Sequence, residues 1–357
     1  MIKPNNKIVI VGGGSAGWMT AAMLIKTFPE KDITVIESPN IPIIGVGEST
    51  IGGIRDYTNW LGIDEKDFME YTDASYKLSI KFTDFYEKDS GSFHYPFGRA
   101  LLDGTQTGIY DWFYKKHVNP ETPVQDFARC YFSSAALFEN NKYNNNESMA
   151  FDNFKPTRDV AYHFDATKFG AWLRDRYCIP RGVKHIQDDV VYVHARQWGI
   201  QSLQLAGDPL NHINADLFID CTGFKSLLLS ALNEPFISYS DMLPNNKAWA
   251  TRVPYKNKEA ELEPFTNCTA IDNGWVWNIP LWSRLGTGYV YSNKFVTDEQ
   301  ALEEYKQYLM SDKMLYPRTR EEVDALEYKN IDMRVGIHER DRKSTRLNSS
   351  HVKRSRM

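Results

Sequence analysis

The fold of this chain is decided by residues 7–28, which read KIVIVGGGSAGWMTAAMLIKTF. The run Lys7–Val11 is β-branched and continuously apolar, which is typical of a central parallel strand covered on both faces. A glycine turn follows, and the pattern from Ser15 to Phe28 predicts a helix. One side of this helix is predicted to carry Ala16, Met19, Met23 and Leu24. Residues 33–36 predict a second strand, which ends at Glu37.

This order of strand, turn, helix, strand and acidic residue is the context that a dinucleotide-binding fingerprint requires. Gly12 permits the tight turn, Gly14 lets the backbone approach a pyrophosphate, and Gly17 lets the helix pack closely on the strand. The helix N-terminus, with Ser15 and Ala16, favours the diphosphate charge. Glu37 lies 20 residues beyond Gly17, where its carboxylate suits a ribose diol and repels a 2′-phosphate. The pattern therefore predicts FAD or NAD rather than NADP.

A second segment, residues 215–223, reads ADLFIDCTG and predicts another buried strand that ends in an acid and a glycine. In two-part FAD folds a late strand of this kind returns to the first sheet, and Asp220 and Gly223 are then candidates for the ribityl chain. An ordinary strand followed by a turn is the alternative. No second glycine motif is visible for a nicotinamide cofactor, which favours FAD and a separate source of reducing equivalents.

Composition narrows the class of protein further. The chain has 357 residues, 42% of them hydrophobic and 13% aromatic, with a formal net charge of −4. The aromatic content requires burial, and no apolar run reaches a membrane-spanning length of roughly 18 residues. The acidic balance disfavours nucleic acid as a ligand. Widely spaced cysteines without CxxC pairs indicate reduced thiols, no zinc site and a cytoplasmic protein; they are Cys130, Cys178, Cys221 and Cys268.

Several motifs together resemble the flavin-dependent halogenases of the tryptophan halogenase family. The family's signature Gly-Trp-x-Trp-x-Ile-Pro occurs as residues 274–280, and two tryptophans at this spacing between glycine and proline rarely arise by chance. The other matching segments are Gly12-Gly-Gly-Ser-Ala-Gly-Trp18, Gly45-Val-Gly-Glu-Ser-Thr50, Ala74-Ser-Tyr-Lys-Leu-Ser-Ile-Lys-Phe82, His94-Tyr-Pro-Phe-Gly98 and residues 216–223.

The resemblance implies an α/β fold of the FAD-binding Rossmann type, in the two-part form of glutathione reductase and hydroxybenzoate hydroxylase, with an inserted substrate-side β region. We expect one domain over residues 1–340. Its FAD-binding segments are predicted at about 1–60 and 155–230, and its substrate-side segments at about 75–150 and 231–330.

The resemblance also implies the reaction. In the family, FADH2 reacts with O2 to give a flavin hydroperoxide, halide attacks it, and the resulting hypohalous acid halogenates an electron-rich aromatic such as an indole or phenol. The expected partners are a separate NAD(P)H-dependent flavin reductase and a small aromatic substrate, without nucleic acid or membrane, and with a possible homodimer. A FAD-dependent aromatic monooxygenase is the alternative activity.

The family's essential lysine falls on Lys77. A buried ammonium makes hypohalous acid more electrophilic by hydrogen bonding, whereas a neutral amine forms a haloamine, and both versions require a desolvated lysine. Lys81 is the rival, because within a single strand two residues four apart share a face. A solvated surface lysine is the ordinary alternative for either residue.

Further site residues follow from the same resemblance. Trp275 and Trp277 are expected to separate flavin from substrate, although paired core aromatics would have the same sequence. Residues 45–50 correspond to a mobile flavin strap, with Glu48, Ser49 and Thr50 against the cofactor. Phe97 matches an aromatic wall for the substrate ring, and His94 is either on the substrate side or structural.

Towards the carboxyl end the sequence has two further features. Thr297 and Gln300 form a capping box for a predicted helix that runs to about Met310. The resemblance stops at about Arg340, before the Glu-Ser-Thr-Gly segment and the helical C-terminal part of the family. Residues 341–357 resemble a translated sequencing adapter and hold six basic side chains and one acidic one, so the preceding chain is more acidic than the net charge indicates. We therefore expect a truncated gene product that folds poorly or is an inactive flavin-binding fragment.

Overall fold

The computed structural model describes residues 6–41, 47–100, 108–143, 153–196 and 199–338. The predicted tail at 341–357 lies outside these residues. The chain divides into two compact units, the first built from residues 1–45, 166–243 and 334–357 and the second from residues 46–165 and 244–333. Among the described residues, no helix combines the length and the apolar character needed to span a bilayer.

The first unit contains the predicted parallel sheet. Lys7–Val11 is a strand with four fully buried residues, and it pairs in parallel with Asp32–Glu37 on one side. On its other side it pairs with Leu217–Asp220, so that Val11 lies opposite Asp220. The order across the sheet is Leu217–Asp220, Lys7–Val11, Asp32–Glu37 and Lys184–Gln187. The Rossmann-type sheet and the return of the late strand to it are thus confirmed.

The helix that follows the glycine turn spans Ser15–Thr27, but its buried face differs from the predicted one. Ala16 and Met23 are exposed, and the residues that face the protein are Gly17, Trp18, Ala21, Ala22 and Ile25. Gly17, Ala21 and Ala22 are small, which lets the helix pack closely on the sheet. An added Cβ on Gly17 would lie 1.8 Å from the carbonyl oxygen of Gly12.

The remainder of the first unit forms an antiparallel sheet, a short ribbon and several short helices. The antiparallel sheet contains Val190–Arg196, Gly199–Leu205 and His212–Asn214, and Phe236–Ser238 pairs with Gly336–His338. The helical segments are Ala166–Trp172, the π-helix Leu173–Cys178, the 3₁₀ turns Ile179–Arg181 and Gly223–Lys225, and Leu227–Ala231.

The second unit is built on a seven-stranded sheet. Its strands follow the order Lys329–Asp332, Lys247–Val253, Leu285–Tyr291, Gly274–Pro280, Phe265–Ile271, Ser79–Thr83 and Ser92–Pro96. One face packs Tyr289 against Tyr305 of the helix Asp298–Met310. This helix begins with the predicted capping box of Thr297 and Gln300 and ends at the predicted residue.

A smaller sheet of three strands lies in the same unit and joins Glu48–Ser49, Ala161–Phe164 and Ser75–Lys77. Because these strands pair with one another, residues 47–60 and 155–165 belong to the second unit, although the sequence suggests that they accompany the FAD-binding segments. The helices of this unit are Gly53–Leu61, Glu65–Thr72, Gly108–Val118, Asp126–Tyr131, Ala135–Glu139, Pro156–Asp159, Lys258–Glu261, Asp298–Met310 and Arg320–Asp324.

Candidate functional site

In the glycine turn of the first unit, protein atoms crowd Gly12, whereas the space beside Gly14 is open. Gly12 has φ +113°, and a Cβ there would lie 2.2 Å from the carbonyl oxygen of Cys221. Gly14, in contrast, has no atom within 4 Å of the position that a Cβ would occupy. The helix that begins at Ser15 carries no acidic residue in its first turn, so the partial positive charge of its N-terminus is not neutralised there. The open space at Gly14 and this helix end fit the diphosphate of FAD.

Glu37 lies beside this glycine turn. Its side chain covers Gly13, where a Cβ would meet the Glu37 Cδ at 2.2 Å. Its Oε2 lies 2.9 Å from His185 Nε2 and 3.8 Å from Arg174, without the alignment of a hydrogen bond to either group. The acidic residue therefore ends its strand beside the glycine turn, as the fingerprint requires, and its contact with a ribose stays a prediction.

Asp220 serves a structural purpose in the described chain. One carboxylate oxygen accepts from the backbone N–H and the hydroxyl of Thr222, and the other accepts from the N–H groups of Leu228 and Leu229. The carboxylate therefore caps the helix Leu227–Ala231. Gly223 adopts φ +61°, a conformation that favours glycine, in the turn between them. A role for either residue towards the ribityl chain stays a prediction.

In the second unit, Lys77 and Lys81 do not lie on one strand, so the premise of a shared face does not hold. Lys77 pairs with Ala161 in the three-stranded sheet, and Lys81 pairs with Asn267 in the seven-stranded sheet. The chain changes sheets at Leu78, which is fully buried. Because the two lysines lie on strands of different sheets, their even spacing does not decide which way they point.

Lys77 is buried, with a relative exposure of 1%. Its Nζ donates to Ser49 Oγ and to the carbonyl oxygen of Thr50, both at 2.7 Å, and lies 5.1 Å from the centre of the Phe97 ring. Within the described part of the chain, no carboxylate forms an ion pair with it. Burial therefore lowers the pKa of Lys77 to about 7, and nearby Cys268 offsets this only in part. At neutral pH the ammonium and the free amine are both populated.

The polar side chains that surround this lysine were not anticipated from the sequence. Thr266 Oγ1 lies 2.5 Å from Ser49 Oγ and 2.9 Å from His163 Nε2, and His163 Nδ1 lies 3.1 Å from Ser75 Oγ. His163 has no exposed surface, and burial, followed by the charge of Lys77, lowers its pKa well below the usual value. These residues are distant from one another in sequence and belong to common types, so no local pattern marks them.

The segment predicted as a flavin strap is partly a strand. Glu48 and Ser49 pair with Phe164 and His163, and the Thr50 backbone N–H and hydroxyl both donate to the Tyr162 carbonyl. Gly45 and Val46 lie outside the described residues. Ser49 and Thr50 thus accept hydrogen bonds from Lys77, and their contact with the cofactor stays a prediction.

Glu48 differs from its two neighbours. The residue as a whole is exposed, and desolvation of its carboxyl group, followed by the charge of Asp165, raises its pKa. Its contact with the cofactor also stays a prediction.

His94 and Phe97 have different surroundings. Phe97 is buried over the Lys77 ammonium. His94 accepts or donates through Nδ1 to Ser79 Oγ at 2.9 Å and stacks on Phe138, and burial lowers its pKa to about 3. It lines a cavity of about 890 Å³ that also contains Lys81. The structure therefore brings Phe97, and not His94 or Lys81, to the buried lysine.

Trp275 and Trp277 occupy the strand Gly274–Pro280 and pack against small residues. The Trp277 ring lies over Gly288, where an added Cβ would meet it at 2.2 Å. Its indole Nε1 is buried and has no hydrogen-bond partner among the described residues. Both indoles are partly buried and pack against a core cluster, and their role as a barrier between cofactor and substrate stays a prediction.

Known proteins match most of the chain. A model of the tryptophan halogenase family matches residues 7–324. The tryptophan 6-halogenase ThaL of Streptomyces albogriseolus is 36% identical over 311 residues, which cover 82% of this chain and 57% of ThaL. Among solved structures, VirX1 in its apo form is 41% identical with a TM-score of 0.84, covering 94% of this chain and 62% of VirX1.

A second solved structure is also similar to this chain. Tar14, described as a tryptophan C-6 flavin-dependent halogenase (chlorinase) from taromycin biosynthesis, is 36% identical with a TM-score of 0.76, covering 93% of this chain and 66% of Tar14. The chain thus spans a little over half the length of its curated relative and under two thirds of VirX1. Its sequence and fold agree with these proteins over most of its described residues, and we conclude that the chain belongs to the tryptophan halogenase family.

Proposed function

We propose that this protein is a FAD-dependent halogenase that acts on an electron-rich aromatic compound of the indole or phenol type. The observation that carries the proposal is the buried Lys77, held by Ser49 and Thr50 without a carboxylate partner among the described residues. A lysine in this state has a proton that it can both donate and lose near neutral pH. The relatives with described activities support the class of reaction.

The cofactor that we assign is FAD in its reduced form. The glycine turn would hold its diphosphate, with Gly14 as the open position and with Gly12, Ser15, Ala16 and Gly17 around it. Glu37, Asp220 and Gly223 are the other candidates in the first unit, and Glu48, Ser49 and Thr50 those in the second. When bound, reduced FAD together with O2 supplies the oxidising power that converts halide to hypohalous acid.

Lys77 then acts on the hypohalous acid in one of two ways. The ammonium donates a hydrogen bond to the oxygen of the acid and so makes its halogen more electrophilic. The neutral amine instead takes the halogen: an N–X bond forms, the O–X bond breaks, and the amine proton leaves with hydroxide as water. Two of the three Nζ positions are already used by Ser49 and Thr50, so either route uses the third.

The aromatic substrate is assigned from the relatives and from the rings of the second unit. ThaL and Tar14 are named for tryptophan, which supports an indole. Phe97 lies over Lys77 and offers an aromatic face, whereas His94 is already stacked on Phe138. To Trp275 and Trp277 we assign the exclusion of the substrate from the cofactor. We further propose a separate NAD(P)H-dependent flavin reductase, a cytoplasmic location and a homodimer.

The experiment supplies the chain with FAD, a flavin reductase with NADH, bromide and air, and presents a panel of indoles and phenols. Brominated product is recognised by mass spectrometry from its isotope doublet. We expect Lys77→Met to lower the rate at least about 100-fold, the scale of a lost acid–base group, and to leave flavin binding unchanged. Lys81→Met, which alters the rival lysine, should retain the parent rate.

Each other result counts against a defined part of the proposal. Bromination by Lys77→Met at the parent rate would refute the role of this lysine, and loss of activity only in Lys81→Met would transfer the role to Lys81. Hydroxylated product that forms without bromide would indicate a monooxygenase. Bound flavin without any product would indicate the remaining alternative, an inactive flavin-binding fragment.

A further inference from the structure

Five side chains and one carbonyl form a continuous line of hydrogen bonds that begins at Lys77. Lys77 Nζ contacts Ser49 Oγ at 2.7 Å, Ser49 Oγ contacts Thr266 Oγ1 at 2.5 Å, and Thr266 Oγ1 contacts His163 Nε2 at 2.9 Å. The line continues from His163 Nδ1 to Ser75 Oγ at 3.1 Å and ends at the carbonyl oxygen of Pro280, which accepts from the Ser75 hydroxyl. All these groups belong to the second unit.

The far end of this line determines the direction of every hydrogen bond in it. A carbonyl oxygen only accepts, so the Ser75 hydroxyl donates to Pro280 and has no proton left for the histidine. His163 Nδ1 must therefore carry the proton and donate to Ser75. A neutral imidazole has one donor and one acceptor nitrogen, so Nε2 accepts from Thr266.

The remaining hydrogen bonds, up to the lysine, have fixed directions as well. The Thr266 hydroxyl donates its proton to His163 and therefore accepts a hydrogen bond from the Ser49 hydroxyl. Ser49 has then donated its own proton and can only accept from Lys77 Nζ. The carbonyl oxygen of Thr50 also only accepts. Lys77 thus faces two groups that require an N–H bond whether it is an ammonium or a neutral amine. In the neutral state its lone pair must therefore point to the third position, away from Ser49 and Thr50.

We propose that His163 is a positioning residue that acts through its Nδ1–H tautomer, which Ser75 and Pro280 hold. This tautomer keeps the Ser49 hydroxyl from donating to Lys77. The reactive position of Nζ is therefore directed away from Ser49 and Thr50. The proposal rests on the proposed function of Lys77. It names the residue that prepares the lysine for an electrophile, and it assigns no contact of His163 with substrate.

The electrostatics of the site agree with this arrangement. Burial first, and then the charge of Lys77, lower the pKa of His163, so the ring is neutral and has a single tautomer to adopt. The Pro280 carbonyl acts in the opposite direction, as expected of an acceptor near Nδ1–H. Among the described residues, the charge that acts on His163 is that of Lys77, and the charge that acts on Lys77 is that of the Cys268 thiol, whose pKa burial raises to about 11.

The test measures the pKa of Lys77 directly, in protein with ¹³C- and ¹⁵N-labelled lysine, from the Cε shift as a function of pH. The Lys77→Met variant identifies the signal. In Thr266→Val the Ser49 hydroxyl is free to donate to the neutral amine, so the pKa of Lys77 should fall by about one unit, the worth of one hydrogen bond. His163→Leu should lower it similarly, and His163→Gln, whose amide oxygen can accept from Thr266, should restore it.

The matched control is Thr251→Val. Thr251 is a buried threonine in the same seven-stranded sheet as Thr266, on a strand three positions away, and its hydroxyl donates to the Glu327 carbonyl. It should lose stability without changing the pKa of Lys77. An unchanged pKa in Thr266→Val, or an equal fall in Thr251→Val, would overturn the proposal.

A second measurement needs no variant in the line. The ¹⁵N shifts of His163 in the unaltered chain distinguish the two tautomers, and we expect the proton on Nδ1. A proton on Nε2 would overturn the proposal directly. Neither measurement uses FAD or turnover, so a failure of the proposed halogenation would leave both results standing.

Discussion

Replacement of Lys77 by Met should stabilise the folded protein in a manner that depends on pH. Burial lowers the pKa of this lysine from 10.5 to about 7, so the folded state holds the proton less tightly than the unfolded state. Because one pKa unit is worth about 1.4 kcal/mol, the protonated lysine costs the fold on the order of 4 to 5 kcal/mol below pH 7. Its relative exposure of 1% means that solvent does little to reduce this cost.

The sign follows from proton binding. Between pH 7 and 10.5 the unfolded chain holds the Lys77 proton and the folded chain does not, so the free energy of unfolding of the parent rises with pH. The free energy of unfolding of Lys77→Met lacks this contribution to its rise with pH. The advantage of the variant should therefore be largest at pH 6 to 7 and shrink by about 1.4 kcal/mol per pH unit above that range. The acceptors Ser49 Oγ and Thr50 O lose a donor in the variant, which subtracts a constant of about 1 to 3 kcal/mol at every pH.

The assay is urea unfolding of parent and variant at pH 6.5, 8 and 9.5, followed by tryptophan fluorescence. Groups that titrate in both proteins cancel in the difference between them. Lys66→Met, at an exposed position, measures the general effect of removing one lysine charge. A difference between parent and Lys77→Met that stays constant from pH 6.5 to 9.5 would refute a lowered pKa for Lys77.

Four further substitutions test other parts of the structure. Gly14→Ala should leave the melting temperature nearly unchanged, because its Cβ meets no atom within 4 Å, and should weaken FAD binding as measured by titration. Gly17→Ala, in contrast, should prevent folding. Equal losses of stability in the two variants would contradict this expectation. Arg318→Met should cost about 3 to 5 kcal/mol in urea unfolding, because it leaves the buried Glu261 carboxylate without its cation, and an unchanged midpoint would count against the ion pair. Thr297→Ala should cost about 1 kcal/mol through loss of the helix cap, and no measurable change would argue against the capping box.

Local sequence was sufficient where a structure depends on neighbours along the chain. The first strand, the two that flank it and the helix Asp298–Met310 lie where runs of apolar residues, glycines and a capping box predict them. Family-specific spacing also carried information, since the segments that resemble the tryptophan halogenases belong to a chain whose residues 7–324 match that family. The buried face of the first helix was missed, because the predicted set left out Gly17, Ala21 and Ala22, whose small size lets the helix pack closely on the sheet.

The sequence by itself determined the dinucleotide fold, the family and the candidate lysine, because these depend on residue types at fixed short spacings. Only the tertiary structure decided between Lys77 and Lys81 as the buried lysine, since the change of sheet at Leu78 depends on partners supplied by distant strands. It also supplied Thr266, His163 and Ser75, and it showed that Ser49 contacts Lys77. These hydrogen bonds join residues far apart in the chain. Burial and hydrogen-bond direction are properties of that assembly, and they give an ordinary lysine its unusual pKa.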